Sequence, residues 1–302
     1  MKIGMIGIGD IAKKAYLPVL SQTKGIELHI CTRNEDTLNK VAETYSIRHL
    51  YQDFDQWLAS GISAAFVHSS TESHESIIDK LLDNGIHVYV DKPVTYNLES
   101  STRLLKKAES KGLLLMVGFN RRYALPYMKL KELAEPNMVV MQKNRGHHAG
   151  EARQFVLDDF IHVIDTLLYL FPYPIEHIRV RGKQENGLLH HVVLQLEAAQ
   201  GTAIGIMNRD AGTSEEKVEV MNAHETRKVM NVNEVISHID KNSLTYGGDD
   251  WQPTLVKRGF HGVITAFLEA VKSGQVSAES YQRDLEAHEL AEKIVQTLDD
   301  KH

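Results

Sequence analysis

Three groups of residues in this chain have the types and spacing for chemistry. The first is Asp158, His162 and Asp165, set four and three residues apart. On an α-helix that spacing puts all three on one face. A carboxylate beside an imidazole orients it to move a proton to or from a hydroxyl. The same residue types suit zinc or iron, and a solvated helix face is the plainer reading. The second group is Gly7-Ile8-Gly9-Asp10-Ile11-Ala12, which follows the apolar-rich run Ile3 to Ile6 and precedes Ala15, Leu17, Val19 and Leu20. It is G-x-G-x-x-A between a strand and a helix, the frame that binds dinucleotides. Gly7 supplies the turn, Gly9 lets the backbone approach a pyrophosphate, and small Ala12 lets helix pack on strand. The helix N-terminus adds free N–H groups and partial positive charge. The third group is Asp91-Lys92-Pro93, after the run Ile86 to Val90. Pro93 disfavours the α region for Lys92. A lysine partly withdrawn from water beside a cationic nicotinamide has its pKa lowered, which suits proton transfer. A surface lysine in a turn is the competing reading.

The elements that must position these groups alternate in the first part of the chain. Strand-like runs at Ile26–Cys31, Ala64–Val67, Ile86–Val90 and Leu113–Val117 are separated by helix-like runs at Glu35–Tyr45, Glu72–Asn84 and Leu98–Ser110. Gly85 and Gly112 stand where helix stop signals belong. Such alternation predicts right-handed crossovers and a doubly wound parallel sheet, an α/β fold. Ligands bind beyond the carboxyl ends of such strands, so the loops Gly7–Asp10, Thr32–Asn34, His68–His74, Asp91–Pro93 and Gly118–Arg122 face one crevice. After Arg122 the pattern predicts a helix at Tyr123–Leu133, a strand at Met138–Lys143 and an amphipathic helix at Gln154–Phe171. Six strand-like runs follow between Glu176 and His238, then helices at Thr254–Ser273 and Gln282–Asp300. Their turn signals predict a large open antiparallel sheet with helices on one face. A chain of 302 residues fits two domains, a Rossmann domain over 1–120 and an α+β domain over 121–302.

Composition narrows the partners. A net charge of −6 gives no electrostatic case for nucleic acid or an anionic membrane. The longest apolar stretch, Phe155 to Ile175, carries Asp158, Asp159, His162 and Asp165 and is no membrane span. The single cysteine, Cys31, excludes an intrachain disulfide framework and a cysteine-based zinc site. It reads as an inert core thiol. Adjacent His147 and His148 splay apart on an extended chain, so no metal is expected. With no secretory leader pattern at Met1, the setting expected is cytoplasmic.

Four motifs in order carry a resemblance: G-I-G-D-I-A at Gly7–Ala12, D-K-P at Asp91–Pro93, G-F-N-R-R at Gly118–Arg122, and D-x-x-x-H-x-x-D at Asp158, His162 and Asp165. They resemble the Gfo/Idh/MocA family of NAD(P)-dependent oxidoreductases over essentially the full length. The run Phe66-Val67-His68-Ser69-Ser70-Thr71 is similar to its MviM-like branch. The resemblance implies hydride transfer between nicotinamide and a sugar, polyol or related hydroxyl or keto compound. Lys92, Asp158 and His162 become the expected catalytic set, with His162 or Lys92 carrying the proton and Asp158 orienting the imidazole. Cofactor contacts are expected at Gly7, Gly9, Asp10, Ile11, Thr32, Arg33, Ser69, Ser70, His74, Asp91, Lys92 and Asn120. Substrate contacts are expected at Lys92, Arg121, Asp158, His162, Asp165 and Trp251. Asp91 replaces the family's commoner Glu, and Phe160 stands where the family often has glycine. A homo-oligomer, dimer or tetramer, assembled through the C-terminal sheet is implied by family analogy.

An acid at the end of the second strand would hold the ribose 2′-OH of NAD, whereas an arginine accommodates a 2′-phosphate. The chain has Thr32-Arg33 there, so NADP is the preferred cofactor, with NAD as the alternative. Two other readings remain: a regulator that binds dinucleotide or sugar without turnover, and an eliminase or glycosidase that oxidises transiently with no net redox.

Overall fold

The computed structural model describes residues 1–247, 251–275 and 278–300. The chain divides into two compact units, Met1–Gly118 with Phe260–Glu286 and Phe119–Gly259 with Ala287–His302. No helix among the described residues is long and apolar enough to cross a membrane.

The first unit is built on a parallel sheet of six strands: β1 (Lys2–Ile6), β2 (Glu27–Cys31), β3 (His49–Tyr51), β4 (Ala64–Val67), β5 (His87–Val90) and β6 (Leu115–Val117). Their order is β3-β2-β1-β4-β5-β6, the Rossmann order, which reverses between β1 and β4 and opens a crevice there. Every residue of β4 is fully buried, as a strand covered on both faces requires. A π-turn at Ala12–Tyr16 leads into α1 (Leu17–Leu20). The remaining crossovers are α2 (Glu35–Tyr45), α3 (Phe54–Leu58), α4 (Thr71–Asp83) and α5 (Leu98–Ser110). Side-chain caps fix where α2 and α5 begin. Asn34 accepts from the Thr37 N–H at 2.8 Å and Asn97 from that of Ser100 at 2.9 Å. Both spans agree with the sequence expectation; β3 and α3, three and five residues long, were not foreseen.

At Gly7 the backbone turns with φ +86°, and a Cβ there would lie 2.2 Å from the Ser69 nitrogen. Gly9 has no such crowding, its nearest neighbour standing 4.0 Å away. The two glycines thus act differently, Gly7 through sterics and Gly9 by leaving space.

The second unit carries α6 (Leu125–Lys131), β7 (Met138–Asn144), α7 (Ala152–Phe155), a π-turn at Val156–Phe160 and α8 (Ile161–Leu170). Seven strands follow: β8 (His177–Glu185), β9 (Leu188–Ala198), β10 (Gly201–Asn208), β11 (Glu215–Met221), β12 (Thr226–Met230), β13 (Val235–Ile239) and β14 (Asn242–Tyr246). With β7 they form one sheet in the order β14-β13-β12-β11-β7-β10-β9-β8. The large open antiparallel sheet expected from the sequence is present, with one parallel pair, β7 and β10, within it. The intervening α7, α8, β8 and β9 supply the long crossover that a parallel pair needs. The single helix expected over Gln154–Phe171 is interrupted by the π-turn, which shifts the phase between Asp158 and the residues of α8.

One face of this sheet is apolar, and two charged residues continue its alternation. Val139, Met141 and Lys143 share a face of β7; Glu216, Val218 and Val220 share a face of β11. The register pairs Lys143 with Glu216, and both are buried. Buried charges demand partners. Glu216 receives Arg121 Nη2 at 2.8 Å, Arg121 Nε at 3.2 Å and the Tyr127 hydroxyl at 2.5 Å. Lys143 donates to Asp159. Burial raises the Glu216 carboxyl, but Arg121 outweighs it and holds the pKa at about 2. Burial and then Arg121 push Lys143 down to about 8, against the pull of Asp159 and Glu216.

The chain closes with α9 (Thr254–Lys257), α10 (Phe260–Ser273) and α11 (Ala278–Asp299). The helix expected over Thr254–Ser273 is broken at Gly259, which has φ +81° and would carry a Cβ 2.2 Å from the Asn120 carbonyl oxygen. Within the first unit, Phe267 of α10 meets Phe66 and Tyr89 edge-on at 5.0 and 5.5 Å. There too the Asp284 carboxylate accepts the Val117 N–H at 3.2 Å.

Two substitutions test these constraints. In urea titrations Gly7→Ala should lose roughly 1–3 kcal/mol through strain at a positive φ, while Gly9→Ala stays close to the parent; equal losses would refute the steric account. Glu216→Gln should cost about 3–5 kcal/mol at neutral pH, because it strands the buried Arg121. Glu216 has a folded pKa of about 2, below its unfolded value, so its stabilisation is complete above the ordinary carboxyl range. That contribution is lost as pH falls towards 2. The variant should therefore show a shallower acid limb, and an unchanged limb would sink the pairing.

Candidate active site

At the carboxyl ends of β1, β2 and β4 the first unit holds a cavity of about 670 Å³, within the range of small-molecule sites. Gly7 and Gly9 border it, with Thr32 and Arg33 after β2 and Ser69 and Ser70 after β4. Six of the expected cofactor residues thus come together from three loops. Ser70 is the N-cap of α4 and makes no side-chain cap bond, so the first N–H groups of that helix are left for an anion. The Ser73 hydroxyl, one turn in, lies 2.8 Å from Ser69 Oγ. Cys31 also borders the cavity, and burial raises its thiol to about 11, which keeps it protonated and unreactive.

Other expected cofactor residues stand elsewhere. Asp10 is mostly exposed and pairs with Lys14 at 2.8 Å; Ile11 is exposed beside it; neither lines the cavity. Asp91 and Lys92 follow β5 and are half-buried, with Asp91 Oδ1 accepting the Lys92 N–H at 3.0 Å. The Lys92–Pro93 peptide bond is cis. His74 is corrected from a cofactor contact to a brace. It is 1% exposed, with Nδ1 3.0 Å from the Pro93 carbonyl oxygen and Nε2 3.1 Å from that of Ser69. It ties the loop after β5 to the loop after β4. Asn120 is likewise spent inside its own unit, donating to the Arg258 carbonyl at 2.8 Å and accepting from Arg121 at 3.2 Å.

His68 stands in the run Phe66–Thr71 and in a loop expected to face the crevice, but the sequence assigned it no role. It borders the cavity and is 5% exposed. Among the described residues neither ring nitrogen has a hydrogen-bond partner. Its ring lies 4.0 Å from that of Tyr16, whose hydroxyl meets that of Tyr89 at 2.8 Å. Burial, then His74, lowers its pKa to about 3, so the imidazole is neutral and can either donate or accept. A buried polar group left unpaired is costly and calls for an explanation. A ligand in the cavity supplies one. Phe54, Asp55 and Lys80 also line it, Lys80 lying 5.2 Å from the centre of the Phe54 ring. They come from α3 and from the last turn of α4, away from every motif.

In the second unit Asp158 lies in the π-turn and is half-buried; His162, 9% exposed, begins the first turn of α8. Asp165, expected at the substrate, is 1% exposed and accepts Arg122 Nε at 2.7 Å. Arg121, also expected there, is committed to Glu216. Both are corrected to buried ion pairs, since a charge in the core is held by its partner. Trp251 is 92% exposed. Asp159, which the helical face left out, is the hub of a cationic cluster. Besides Lys143 it receives Arg145 at 3.1 Å and Arg209 at 3.3 Å. Burial raises its carboxyl, yet Lys143 and Arg145 bring it far below the ordinary range. The signal for this cluster was present as a lysine and a glutamate on otherwise apolar strand faces.

Comparisons with known proteins agree with this architecture. Residues 1–119 match the model of an oxidoreductase family with an NAD-binding Rossmann fold, and residues 126–240 match a YceM-like C-terminal domain. YceM of Salmonella typhimurium is 34% identical over 99% of this chain and 97% of its own. Inositol 2-dehydrogenase/D-chiro-inositol 3-dehydrogenase of Shouchella clausii is 27% identical over 68% of this chain and 64% of its own. The crystal structure of a Gfo/Idh/MocA family oxidoreductase from Vibrio cholerae, 30% identical, superposes with a TM-score of 0.94 over 100% of this chain and 99% of that one. With its order of strands, its glycine turn and a relative of this identity along nearly its whole length, the chain belongs to the Gfo/Idh/MocA family of oxidoreductases.

Proposed function

We propose that this protein transfers hydride between a nicotinamide dinucleotide, NADP in preference to NAD, and a hydroxyl or keto carbon of a sugar or polyol. The cavity beyond β1 and β4 carries the reading. Gly7 leaves a cradle that a Cβ would fill, α4 presents an uncapped N-terminus, and the buried His68 nitrogens lack partners. Those features fit a ligand with a diphosphate and ribose hydroxyls. Support for a polyol comes from the inositol dehydrogenase among the relatives. The exposed Met230, Ile239, Leu244 and Tyr246 of β12–β14 support assembly of copies through the sheet.

When bound, the nicotinamide supplies a hydride acceptor or donor. The chain supplies the rest. Gly7 and Gly9 admit the diphosphate, Ser69, Ser70 and the start of α4 give it hydrogen bonds, and His68 bonds the sugar-phosphate backbone. Oxidation of an alcohol releases a proton from its hydroxyl, and His162 or Lys92 takes it. Asp158 orients the imidazole. The buried Arg122–Asp165 pair fixes the helix face next to His162.

Arg33 borders the cavity beside Thr32, placed for a 2′-phosphate. Arg33→Ala should raise the KM for NADP about ten- to hundredfold, the worth of a charge-assisted hydrogen bond, and leave that for NAD nearly unchanged. A parent enzyme that prefers NAD would transfer discrimination to Asp55, the carboxylate on the same cavity wall.

Lys92→Ala and His162→Ala should each lower kcat roughly 10²–10⁴-fold with the cofactor Kd changed only a few-fold. Reduced nicotinamide is followed by absorbance across a panel of sugars and polyols. Parent-like turnover in both variants would defeat the catalytic assignment.

A further inference from the structure

A second constellation lies on β2 and the edge strand β3, apart from the cofactor cavity. Glu27 and His29 are two residues apart on β2, so they share a face. The parallel register pairs His29 with His49, and the two rings stack 4.4 Å apart at 8°. Glu27 Oε1 is 2.8 Å from His29 Nε2 and 3.5 Å from His49 Nε2. One donor atom from each residue lies within 4.8 Å of the others. We propose that Glu27, His29 and His49 bind a divalent transition-metal ion of the zinc type.

The distances carry the argument. Zinc bonds to imidazole nitrogen and carboxylate oxygen are about 2.0–2.2 Å long, so neighbouring ligands of a tetrahedral ion stand roughly 3.3 Å apart. The two measured separations bracket that value. Because the two rings stack nearly parallel, an ion enters once the half-exposed His49 ring turns out of the stack to aim Nε2 at it. His29 is 2% exposed, and its Nδ1 faces the Tyr51 hydroxyl at 3.1 Å. That outer bond orients the ring and leaves Nε2 facing Glu27 as the ligand atom. Two imidazoles with one carboxylate suit zinc, nickel or copper; magnesium and calcium favour oxygen alone. Glu27 and His49 are about half exposed, which gives the ion a way in and leaves a coordination position for water.

The place in the fold gives the ion a task independent of the redox reading. β3 is three residues long and pairs only with β2. The ion cross-links the two strands two residues before Cys31 and Tyr51. There the Tyr51 carbonyl oxygen accepts the Thr32 N–H at 3.1 Å. It is a clip on the strand pair that forms the cavity's Thr32 lip.

Protein stripped with chelator is titrated calorimetrically with Zn²⁺ and, separately, Mg²⁺, and its melting temperature is recorded with each. The expected result is one Zn²⁺ per chain, a raised melting temperature, and no response to Mg²⁺. His49→Ala and Glu27→Gln should each weaken that equivalent at least tenfold, the scale of a lost ligand contact. Both variants should melt with the parent in chelator. Co²⁺ should give visible absorption bands in the parent that both variants lose. Zinc binding of equal strength in the parent and His49→Ala would overturn the proposal, and so would the lack of a saturable equivalent in the parent.

Discussion

The close approach of two backbones at Gly7 governs the first unit. The turn after β1 runs against the peptide between His68 and Ser69, with room for a hydrogen and nothing larger. That contact brings the ends of β1 and β4 together at the point where the strand order reverses. It sets the floor of the cavity, and the loops after β2 and β4 become its walls. His68 then has its ring pressed against Tyr16 and its nitrogens turned away from any protein partner. The strand order alone would give a crevice; the missing Cβ makes it deep enough to take a diphosphate.

A different economy holds the second unit. Its sheet brings charges inside, and each is matched: Arg121 by Glu216, Arg122 by Asp165, Lys143 by Asp159. Such pairs contribute little net stability against apolar substitutes, but breaking one leaves a charge in the core. They therefore fix the geometry around the π-turn and α8, where Asp158 and His162 sit. A π-turn in a helix is itself a frequent mark of a functional segment.

Much of this was legible in the residues. The alternation of strand and helix, the helix stops at Gly85 and Gly112, and the glycine turn each have a local physical cause, so the Rossmann sheet could be read without coordinates. The candidate site was legible in half. Gly7, Gly9, Thr32, Arg33, Ser69 and Ser70 follow strands directly, and topology alone gathers them. Arg121, Asp165, His74 and Asn120 carry equally suggestive side chains, but each also has a partner 19 to 138 residues away. Local pattern holds no record of such partners. His68 was hidden for the opposite reason, since its importance lies in bonds it does not make. Neither β3 nor β14 announced itself, one being too short for a period and the other exposed at every residue.

The discontinuity of the first unit has a bearing on how the chain is made. Phe66 and Tyr89 belong to strands synthesised early, yet Phe267 covers them, and Asp284 ties down the last strand. Translation proceeds from the amino end, so the nucleotide-binding sheet emerges first and waits through the whole second unit for its final layer. Its central aromatic surface stays wet and adhesive over that interval. A chain cut before Phe260 would leave that sheet without the layer that Phe267 and Asp284 supply.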